Sequence, residues 1–407
     1  MKLLLFMGNG MFVESFGGAE KVACNMANEF VTRGHEVVLL CNDYKQGMPA
    51  YPLDNRVTFV NLNGQGHRLE QYPFKLKFLR ELGRALKINP VFHYAKAQCQ
   101  HIRAGVFREK IEQLLQREQP DALIPFFLSD LNMLMACESA RKIPTILMVH
   151  DDPRKVFLHI TAADRKALQH CQMVQVLLPE YIHTAEKRTK RPVVAIPNAI
   201  DMQDAPVQKD QPTYRIIHVG RLDREQKRQH LLVEAFAKIA NDFPDWTVHC
   251  FGGDTPLHPG YHKRLEQLIS KHHLESRFIL EGESPCIRQE LRNSDIFAFP
   301  SSHEGFSLAM LEAMAVGLPC IGFNNAPGVK ELIRNENNGL LVPPTTTALA
   351  SGLRRLMASL ELRKNLGKAA VELSRKFAPQ AVWNQWEQQL MQITGNNKKF
   401  VASEDKK

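Results

Sequence analysis

Glu304 and Glu312 stand at the two ends of a segment that could bind an anion. A buried strand is predicted over 296–300, a small polar loop follows, and a helix is predicted to begin near Ser307. The free N–H groups and the positive dipole end of such a helix favour a pyrophosphate. Glu312 lies about two turns further along, among apolar residues where a carboxylate needs a partner, and the two hydroxyls of a ribose would supply one. In the alternative interpretation Glu304 is an ordinary charge at a helix start and Glu312 a surface carboxylate.

Short apolar strands alternate with helices along most of the chain, which is typical of an α/β fold with parallel sheets. One α/β domain is predicted over 1–200 and a second over 201–378, with a linker over 197–212 and a cleft between the halves. An amphipathic helix over 379–394 is expected to cross back to the first domain, and a flexible polar tail is expected over 395–407.

The predicted strands are Lys2 to Met7, His35 to Leu40, Ala122 to Phe127, Thr145 to Val149, Val174 to Leu178, Val193 to Ile196, Tyr214 to Val219, Trp246 to Phe251, Phe278 to Glu281, Ile296 to Pro300 and Pro319 to Phe323. Helices are predicted from Ala19 to Arg33 and from Leu231 to Ala240.

The composition excludes several classes of protein. With 407 residues, of which 44% are hydrophobic and 23% charged, the chain is neither disordered, collagen-like nor a coiled coil. The eight cysteines form no Cys-x-x-Cys pair, so a zinc ribbon or thioredoxin-type site is not expected, and scattered cysteines fit a reducing compartment. The apolar start over 1–7 is interpreted as a buried strand, not a signal peptide. We therefore expect a cytoplasmic protein.

The net charge of +9 favours anionic partners. Residues 71–110 carry most of this excess, because nine lysines and arginines stand there against two glutamates, interleaved with apolar residues. A basic amphipathic helix of this kind can lie on an anionic membrane, which would place the protein on the inner face of the cytoplasmic membrane. The alternative is a basic surface on a helix that packs against the core.

Four motifs resemble those of retaining glycosyltransferase family 4, and they occur in the family's order over nearly the whole chain. Residues 304–312 resemble its Glu-x7-Glu motif, and 317–321 (Gly-Leu-Pro-Cys-Ile) are also typical. So are 17–20 (Gly-Gly-Ala-Glu) and 218–222 (His-Val-Gly-Arg-Leu) followed by Lys227. The resemblance implies the GT-B fold, two Rossmann-like doubly wound parallel-sheet domains facing across a cleft, in an enzyme of the bacterial surface-polysaccharide type.

The resemblance also implies roles for individual residues. Arg221 and Lys227 would hold the diphosphate of the donor, Glu304 would contact the transferred sugar, and Glu312 would bind the ribose. His150 would support catalysis near the 6-position of the sugar, although a histidine after a strand is often structural. The remaining residues implied to contact the donor are Gly17, Gly18, Gly305, Phe306, Ser307 and Leu308.

The expected reaction moves a sugar from a nucleotide diphosphate sugar, UDP-sugar by the family's commonest usage, to a saccharide or lipid-linked saccharide with retention of configuration. No Asp-x-Asp triplet occurs in the chain, so we expect Arg221, Lys227 and the helix start to neutralise the leaving group without a metal or other cofactor. The leaving phosphate would take the acceptor's proton, and no carboxylate nucleophile is assigned.

Two other functions remain open on the sequence. A nucleotide-sugar epimerase would use the same two-domain scaffold but would need no acceptor. A non-catalytic nucleotide-binding relative would bind the donor alone. The chain lacks the phosphate-loop and RNA-binding motifs, so no nucleic acid partner is expected. A metal hydrolase that used His258 and His262 is disfavoured, because Pro259 and Gly260 keep these histidines off one helix face.

Overall fold

The computed structural model describes residues 1–8, 12–67, 71–86, 88–158, 160–202, 213–255 and 258–395. These residues form two compact units. The N-terminal unit comprises Met1–Pro197 and the chain from Trp383 onward, and the C-terminal unit comprises Asn198–Val382. Most of the predicted linker and nearly all of the predicted tail lie outside the described residues.

The elements of the N-terminal unit alternate between strands and helices. In chain order they are β1 (Lys2–Met7), α1 (Gly18–Thr32), β2 (Glu36–Cys41), β3 (Thr58–Asn61), α2 (Phe74–Ala85), α3 (Asn89–Glu118), β4 (Ala122–Pro125), α4 (Leu128–Met135), β5 (Ile146–Val149), α5 (Pro153–Val156), α6 (Ala162–Gln169), β6 (Met173–Val176), α7 (Ile182–Thr189) and β7 (Val193–Ala195).

The strands of the N-terminal unit are all parallel. One sheet has the order β3-β2-β1-β4 and the other the order β5-β6-β7, and a bridge between Leu123 and Thr145 joins β4 to the start of β5. Residues Leu3 to Met7 of β1 are fully buried, because a central parallel strand has both faces covered by helices. The strand order reverses between β1 and β4, which makes that point the topological switch of the unit.

The C-terminal unit has the same alternating plan. Its elements are β8 (Tyr214–Val219), α8 (Gln229–Ala237), β9 (Trp246–Phe251), α9 (Tyr261–Lys271), β10 (Phe278–Gly282), α10 (Ile287–Arg292), β11 (Ile296–Phe299), α11 (Leu308–Ala315), β12 (Cys320–Phe323), α12 (Pro327–Leu332), β13 (Gly339–Val342), α13 (Thr346–Ala358) and α14 (Leu360–Ser374).

A single six-stranded parallel sheet organises the C-terminal unit, with the order β10-β9-β8-β11-β12-β13. Numbered within the unit, this is 3-2-1-4-5-6, the order of Rossmann dinucleotide-binding domains, whose ligands bind where the order reverses. That reversal lies between β8 and β11, which pair in register at Ile216–Ile296 and Ile217–Phe297. The predicted α/β class with parallel sheets is confirmed.

The last helix, α15 (Pro379–Thr394), begins in the C-terminal unit and continues in the N-terminal one. Trp383 is buried, and its ring meets that of Phe30 edge-on with centroids 5.8 Å apart. Glu387 accepts hydrogen bonds from Arg33 at 2.6 Å and stands 2.9 Å from His35 Nε2. An apolar face and one charged cluster therefore fix this part of the helix.

Two expectations from the sequence need refinement. Residues 71–110 form two helices, α2 and the first part of α3, not a single one. Strands β3 and β13 were not among the predicted strands. None of the helices within the described ranges is both long and apolar enough to cross a membrane. Seven of the eight cysteines are buried, and Cys286 is exposed.

Candidate functional site

Two loops meet at the switch point of the C-terminal unit. One follows β8 over 220–228, and the other follows β11 over 300–307. They are joined by hydrogen bonds from the backbone N–H of Ser302 to the carbonyl of Gln226 (2.8 Å) and from Gln226 Nε2 to the carbonyl of His303 (3.0 Å). Since the strands beneath them are paired, the two loops form one surface at the carboxyl edge of the sheet.

A buried ion pair connects the same loops. Lys227 Nζ lies 2.7 Å from Glu304 Oε1, and the two side chains are only 13% and 8% exposed. Ser301 Oγ donates a second hydrogen bond to the same oxygen at 2.7 Å. The ammonium group also lies 4.7 Å from the ring centre of Phe299. The structure thus brings together two predicted site residues that are far apart in the sequence.

His218 and Gln229 form hydrogen bonds that fix the loop after β8. His218 is fully buried, with Nδ1 3.0 Å from the carbonyl oxygen of Ala298 and Nε2 3.2 Å from Gln229 Nε2. Burial lowers the pKa of His218 to about 4, so the ring is neutral. Gln229 Nε2 also donates to the carbonyl of Arg221 at 2.9 Å. Gln229 was not predicted as a site residue, since nothing in the sequence shows which carbonyl its amide would reach.

Arg221 extends from this loop and is half exposed. Its Nη2 donates to Gln226 Oε1 at 2.6 Å, and its Nε lies 3.4 Å from Asp223 Oδ2. Asp223 is buried and accepts hydrogen bonds from the backbone N–H groups of Glu225 and Gln226. The guanidinium is therefore oriented on one side and accessible on the other, as an anion-binding arginine requires.

Helix α11 begins where the sequence predicts. Ser307 is its N-cap residue, and Ser307 Oγ accepts a hydrogen bond from the backbone N–H of Met310 at 3.4 Å. Gly305 is buried just before it, and Phe306 is buried against Phe377, with ring centroids 5.6 Å apart. The backbone N–H groups at Leu308 and Ala309 are not used by the helix itself. Glu312 is half-buried on the same helix.

A glycine allows the neighbouring loop to approach closely. Gly252 follows β9 with φ +144°, and a Cβ there would lie 2.2 Å from the carbonyl oxygen of Gly220. On the other side of the site, the backbone N–H of Gly328 donates to the carbonyl of Glu304 at 3.0 Å. Position 328 also excludes a side chain, because a Cβ would lie 2.7 Å from that carbonyl oxygen.

The predicted residues of the N-terminal unit lie at strand ends and at a helix start. Gly17 is the N-cap residue of α1, and Gly18 is the first residue of that helix. A Cβ on Gly17 would lie 1.9 Å from Glu20 Oε2. The close approach that this glycine permits is therefore made by the protein's own buried carboxylate.

His150 follows β5 directly. Its ring stacks on Phe126 with centroids 5.2 Å apart, and its Nε2 is buried without a hydrogen-bond partner among the described residues. Burial lowers the pKa of His150 to about 4, which keeps the ring neutral. A neutral imidazole with one unused nitrogen can hydrogen-bond to a hydroxyl group.

Comparison with known proteins gives matches over both halves of the chain. Residues 200–373 match the family model "Glycosyl transferases group 1", and residues 16–204 match the model "Glycosyltransferase Family 4".

Three curated relatives differ in how much they share with the chain. An uncharacterized glycosyltransferase of Haemophilus influenzae is 22% identical over 92% of this chain and 97% of its own length. An exopolysaccharide phosphotransferase of Streptomyces coelicolor is 33% identical over 48% of this chain. A lipopolysaccharide core biosynthesis mannosyltransferase of Rhizobium meliloti is 32% identical over 30% of this chain. The chain spans only 20% and 35% of the last two relatives.

Solved structures agree in fold over the full length. Sucrose-phosphate synthase of Thermosynechococcus elongatus has a TM-score of 0.75 at 20% identity, with 97% of this chain and 99% of that one covered. The Anabaena protein HepE, solved in complex with UDP and glucose, has a TM-score of 0.67 at 18% identity, with 99% of this chain and 100% of that one covered. The comparisons agree with one another: each half of the chain is similar to a glycosyltransferase family, and the chain has the GT-B fold.

Proposed function

We propose that the chain is a retaining glycosyltransferase that moves a sugar from a UDP-sugar to a saccharide or a lipid-linked saccharide. The observation that carries this proposal is the buried Lys227–Glu304 pair, held beside the start of α11 at the switch point of the C-terminal unit. Such a point is where α/β sheets of this order bind nucleotides. The UDP complex of the HepE structure supports the choice of nucleotide.

The diphosphate would be held by three kinds of donor. Arg221 offers an accessible guanidinium, Lys227 a buried ammonium, and the start of α11 the backbone N–H groups of Ser307 and Leu308. Glu312, half-buried on α11, would accept hydrogen bonds from the ribose hydroxyls. Gly305 and Phe306 would contact the donor from the loop before α11. Gly17 and Gly18 would contact it from the start of α1 in the N-terminal unit.

The transfer would proceed on one face of the sugar. The bond between the anomeric carbon and the phosphate oxygen breaks, the acceptor oxygen bonds to the same carbon, and the acceptor proton passes to the leaving phosphate. Lys227 and Arg221 would stabilise the charge that develops on that phosphate, so that no metal is needed. Glu304 would accept a hydrogen bond from the transferred sugar, and neutral His150 would bind a sugar hydroxyl.

Product analysis tests this function. The protein is incubated with UDP-glucose, UDP-galactose or UDP-N-acetylglucosamine, with and without a methyl glycoside acceptor, and products are followed by proton NMR. We expect UDP release that depends on the acceptor and a new linkage with the donor's α configuration. A new β linkage would overturn retention. Interconversion of UDP-glucose and UDP-galactose without acceptor would identify an epimerase, and UDP binding without any turnover would identify a non-catalytic relative.

A lipid-linked acceptor is favoured by one surface of the N-terminal unit. Phe74 is 82% and Phe78 54% exposed on α2, and their rings stack with centroids 6.4 Å apart. Lys75 and Lys77 are exposed on the same helix. Paired aromatic rings beside cations fit the interface of an anionic membrane, and the Rhizobium relative acts in lipopolysaccharide synthesis by its name.

Vesicle flotation tests the membrane surface. We expect the protein to float with vesicles of phosphatidylcholine and phosphatidylglycerol but not with phosphatidylcholine alone. The double variant Phe74→Ser, Phe78→Ser should lose flotation while it keeps UDP binding. Equal flotation of the variant, or none of the wild type, would contradict a membrane role for α2.

A further inference from the structure

Two crossing segments, 198–202 and 374–382, lie where the chain passes between its two units, and both belong to the C-terminal unit. They are bound to each other within that unit. The backbone N–H of Ile200, a buried residue, donates to the carbonyl of Phe377 at 3.0 Å. The two crossing segments are therefore held together at Phe377.

The side chain of Phe377 reaches the loop that precedes α11. Phe377 ends the short turn Arg375–Phe377 between α14 and α15, and it is half-buried. Its ring meets that of Phe306 at an angle of 60° with centroids 5.6 Å apart, which is the edge-to-face arrangement that aromatic pairs favour. Phe306 stands between Glu304 and the N-cap residue Ser307. The contact therefore supports the middle of the loop to which we assign the donor.

Helix α14 supports α11 at the opposite end. Gly317 follows α11, and a Cβ on Gly367 of α14 would lie 2.1 Å from the carbonyl oxygen of Gly317. The missing side chain at position 367 therefore lets α14 approach the end of α11 closely. Since α14 leads directly into the turn with Phe377, one continuous piece of chain, 360–377, contacts α11 beyond its end and the loop before its start.

The other contacts of this loop are backbone hydrogen bonds in its first half. The N–H of Ser302 donates to the carbonyl of Gln226 at 2.8 Å, and the N–H of Gly328 donates to the carbonyl of Glu304 at 3.0 Å. The second half, which leads into α11, has the aromatic contact as its support. Loss of the Phe377 ring would therefore loosen the part of the loop that carries the free N–H groups of the helix start.

We propose that Phe377 is a positioning residue for the donor. Acting through Phe306, it holds the start of α11 where the diphosphate binds, so that donor affinity depends on the two crossing segments. By reciprocity, a bound donor stabilises those segments. The proposal rests on the proposed function only in assigning the donor to the loop over 300–307 and to α11, and Phe377 itself is assigned no contact with the donor.

Calorimetry with UDP on the full chain tests this role. Phe377→Ala should weaken UDP binding about tenfold, because small displacements of binding groups are costly. Phe377→Leu keeps an apolar side chain of similar bulk and should stay within about threefold of the wild type. Equal UDP binding by Phe377→Ala and the wild type would overturn the proposal.

Phe243→Ala is the matched control. Phe243 is also a half-buried phenylalanine of the C-terminal unit, and the guanidinium carbon of Arg354 lies 5.8 Å from its ring centre. Its substitution should lower the thermal midpoint and leave UDP binding unchanged. UDP binding that is weakened equally in Phe243→Ala and Phe377→Ala would show general destabilisation and overturn the proposal.

A double-mutant cycle tests whether Phe377 acts through Phe306. Phe306→Ala and the double variant Phe306→Ala, Phe377→Ala should bind UDP equally weakly, because the second substitution removes a contact that the first has already broken. Two effects that multiply would show that Phe377 acts by another route, which would overturn the proposal.

Hydrogen exchange followed by mass spectrometry reads the loop without UDP. The amide of Met310, which donates to Ser307 Oγ at the helix start, should exchange about tenfold faster in Phe377→Ala than in the wild type or Phe243→Ala. In the wild type, bound UDP should slow exchange at Ile200, where no donor contact is assigned. Unchanged exchange at Met310 in the variant, or at Ile200 when UDP is bound, would overturn the proposal.

The same measurements separate failure of this inference from failure of the proposed function. If the wild type does not bind UDP, the donor assignment is refuted, and exchange at Met310 still decides whether Phe377 holds the start of α11. If Phe377→Ala binds UDP as tightly as the wild type does, the inference is refuted and the UDP site is kept. If Phe377→Ala does not fold, the effect of UDP on exchange at Ile200 in the wild type decides.

Discussion

Lys227 and Glu304 form a buried ion pair with Nζ and Oε1 2.7 Å apart, although 76 residues lie between them in the chain. The pair exists because β8 and β11 are neighbours in the sheet, so the loops that follow these strands meet. A buried pair is costly to desolvate and is weak evidence of a stabilising role. Because the pair lies at the switch point of the sheet, a ligand-binding role explains it better than a stabilising one.

Glu304→Gln should lower turnover about a hundredfold and leave UDP binding within a few-fold of the wild type. Glutamine keeps an acceptor for Ser301 Oγ but removes the charge beside the transferred sugar. Glu304→Ala should also lower stability, by about 3–5 kcal/mol, because it leaves Lys227 buried and unpaired. Steady-state kinetics and calorimetry on the glutamine variant check this, and a turnover equal to that of the wild type would refute the role of Glu304.

Glu312→Ala should act mainly on donor binding. Loss of the ribose contact should raise KM for the UDP-sugar about tenfold or more, with kcat little changed. Glu331→Ala, at an exposed position of α12, serves as the matched control. If Glu312→Ala lowers kcat and leaves KM unchanged, the ribose assignment is wrong.

Gly252→Ala should destabilise the protein by about 2 kcal/mol and weaken UDP binding, since its Cβ would lie 2.2 Å from the carbonyl oxygen of Gly220. Gly105→Ala is the control, because that position is in α3 and a Cβ there meets no atom within 4 Å. The control should gain about 0.5–1 kcal/mol. Urea unfolding of both variants measures the contrast, and equal stabilities would contradict the close approach of the two loops.

Stability should depend on pH through Asp130. Burial raises the pKa of this carboxyl from 3.8 to about 7, so between these values the folded state holds a proton that the unfolded state releases. Stability from this group is therefore present at low pH and is lost as the pH rises toward about 7. Asp130→Asn removes this dependence. The free energy of unfolding of the variant, relative to that of the wild type, should therefore rise by up to about 4 kcal/mol from about pH 4 to about pH 8.

Urea unfolding of both proteins at the two pH values checks the Asp130 prediction. The pKa values of His150 and His218 are lowered to about 4, so these groups have the opposite effect. Their contribution to the stability of the protein is lost as the pH falls below about 6.5. Both are present in wild type and variant, so their contribution cancels in the difference. A difference that does not change with pH would show that Asp130 is ionised in the folded protein.

Glycosyl transfer should continue in excess chelator. Arg221, Lys227 and the start of α11 supply positive charge for the leaving diphosphate. The initial rate is measured with EDTA and again after Mg²⁺ or Mn²⁺ is restored. Rates within about twofold are expected, and a strict dependence on either metal would contradict this account.

The sequence predicts strong apolar elements and short-range features well. Strands β8 and β9 begin and end at the predicted residues, and α11 begins after Ser307 as expected. The edge strands β3 and β13 were not predicted: β3 (Thr-Phe-Val-Asn) is half polar, and β13 (Gly-Leu-Leu-Val) is a short apolar run that is only partly buried. Short edge strands carry a weak periodic signal, since one side lacks a covering neighbour.

Tertiary partners could not be predicted in the same way. The motif residues Lys227 and Glu304 are recognisable, but their contact depends on which strands are adjacent. Asn42 and Asp130 have no sequence signal, because only the fold shows that the Asn42 amide and Asp130 Oδ2 are buried without a hydrogen-bond partner among the described residues. Only the three-dimensional arrangement shows that the amide of Gln229 holds the loop that carries Arg221.

Calorimetric titration with UDP, in the presence of chelator, tests the central claim most directly. The wild type, Arg221→Met and Arg224→Met are compared, because Arg221 and Arg224 occupy one loop and only the first is assigned to the diphosphate. We predict that UDP binds the wild type and Arg224→Met equally and binds Arg221→Met about tenfold more weakly or worse. Equal binding by all three proteins, or no binding by the wild type, would contradict a nucleotide site at this switch point.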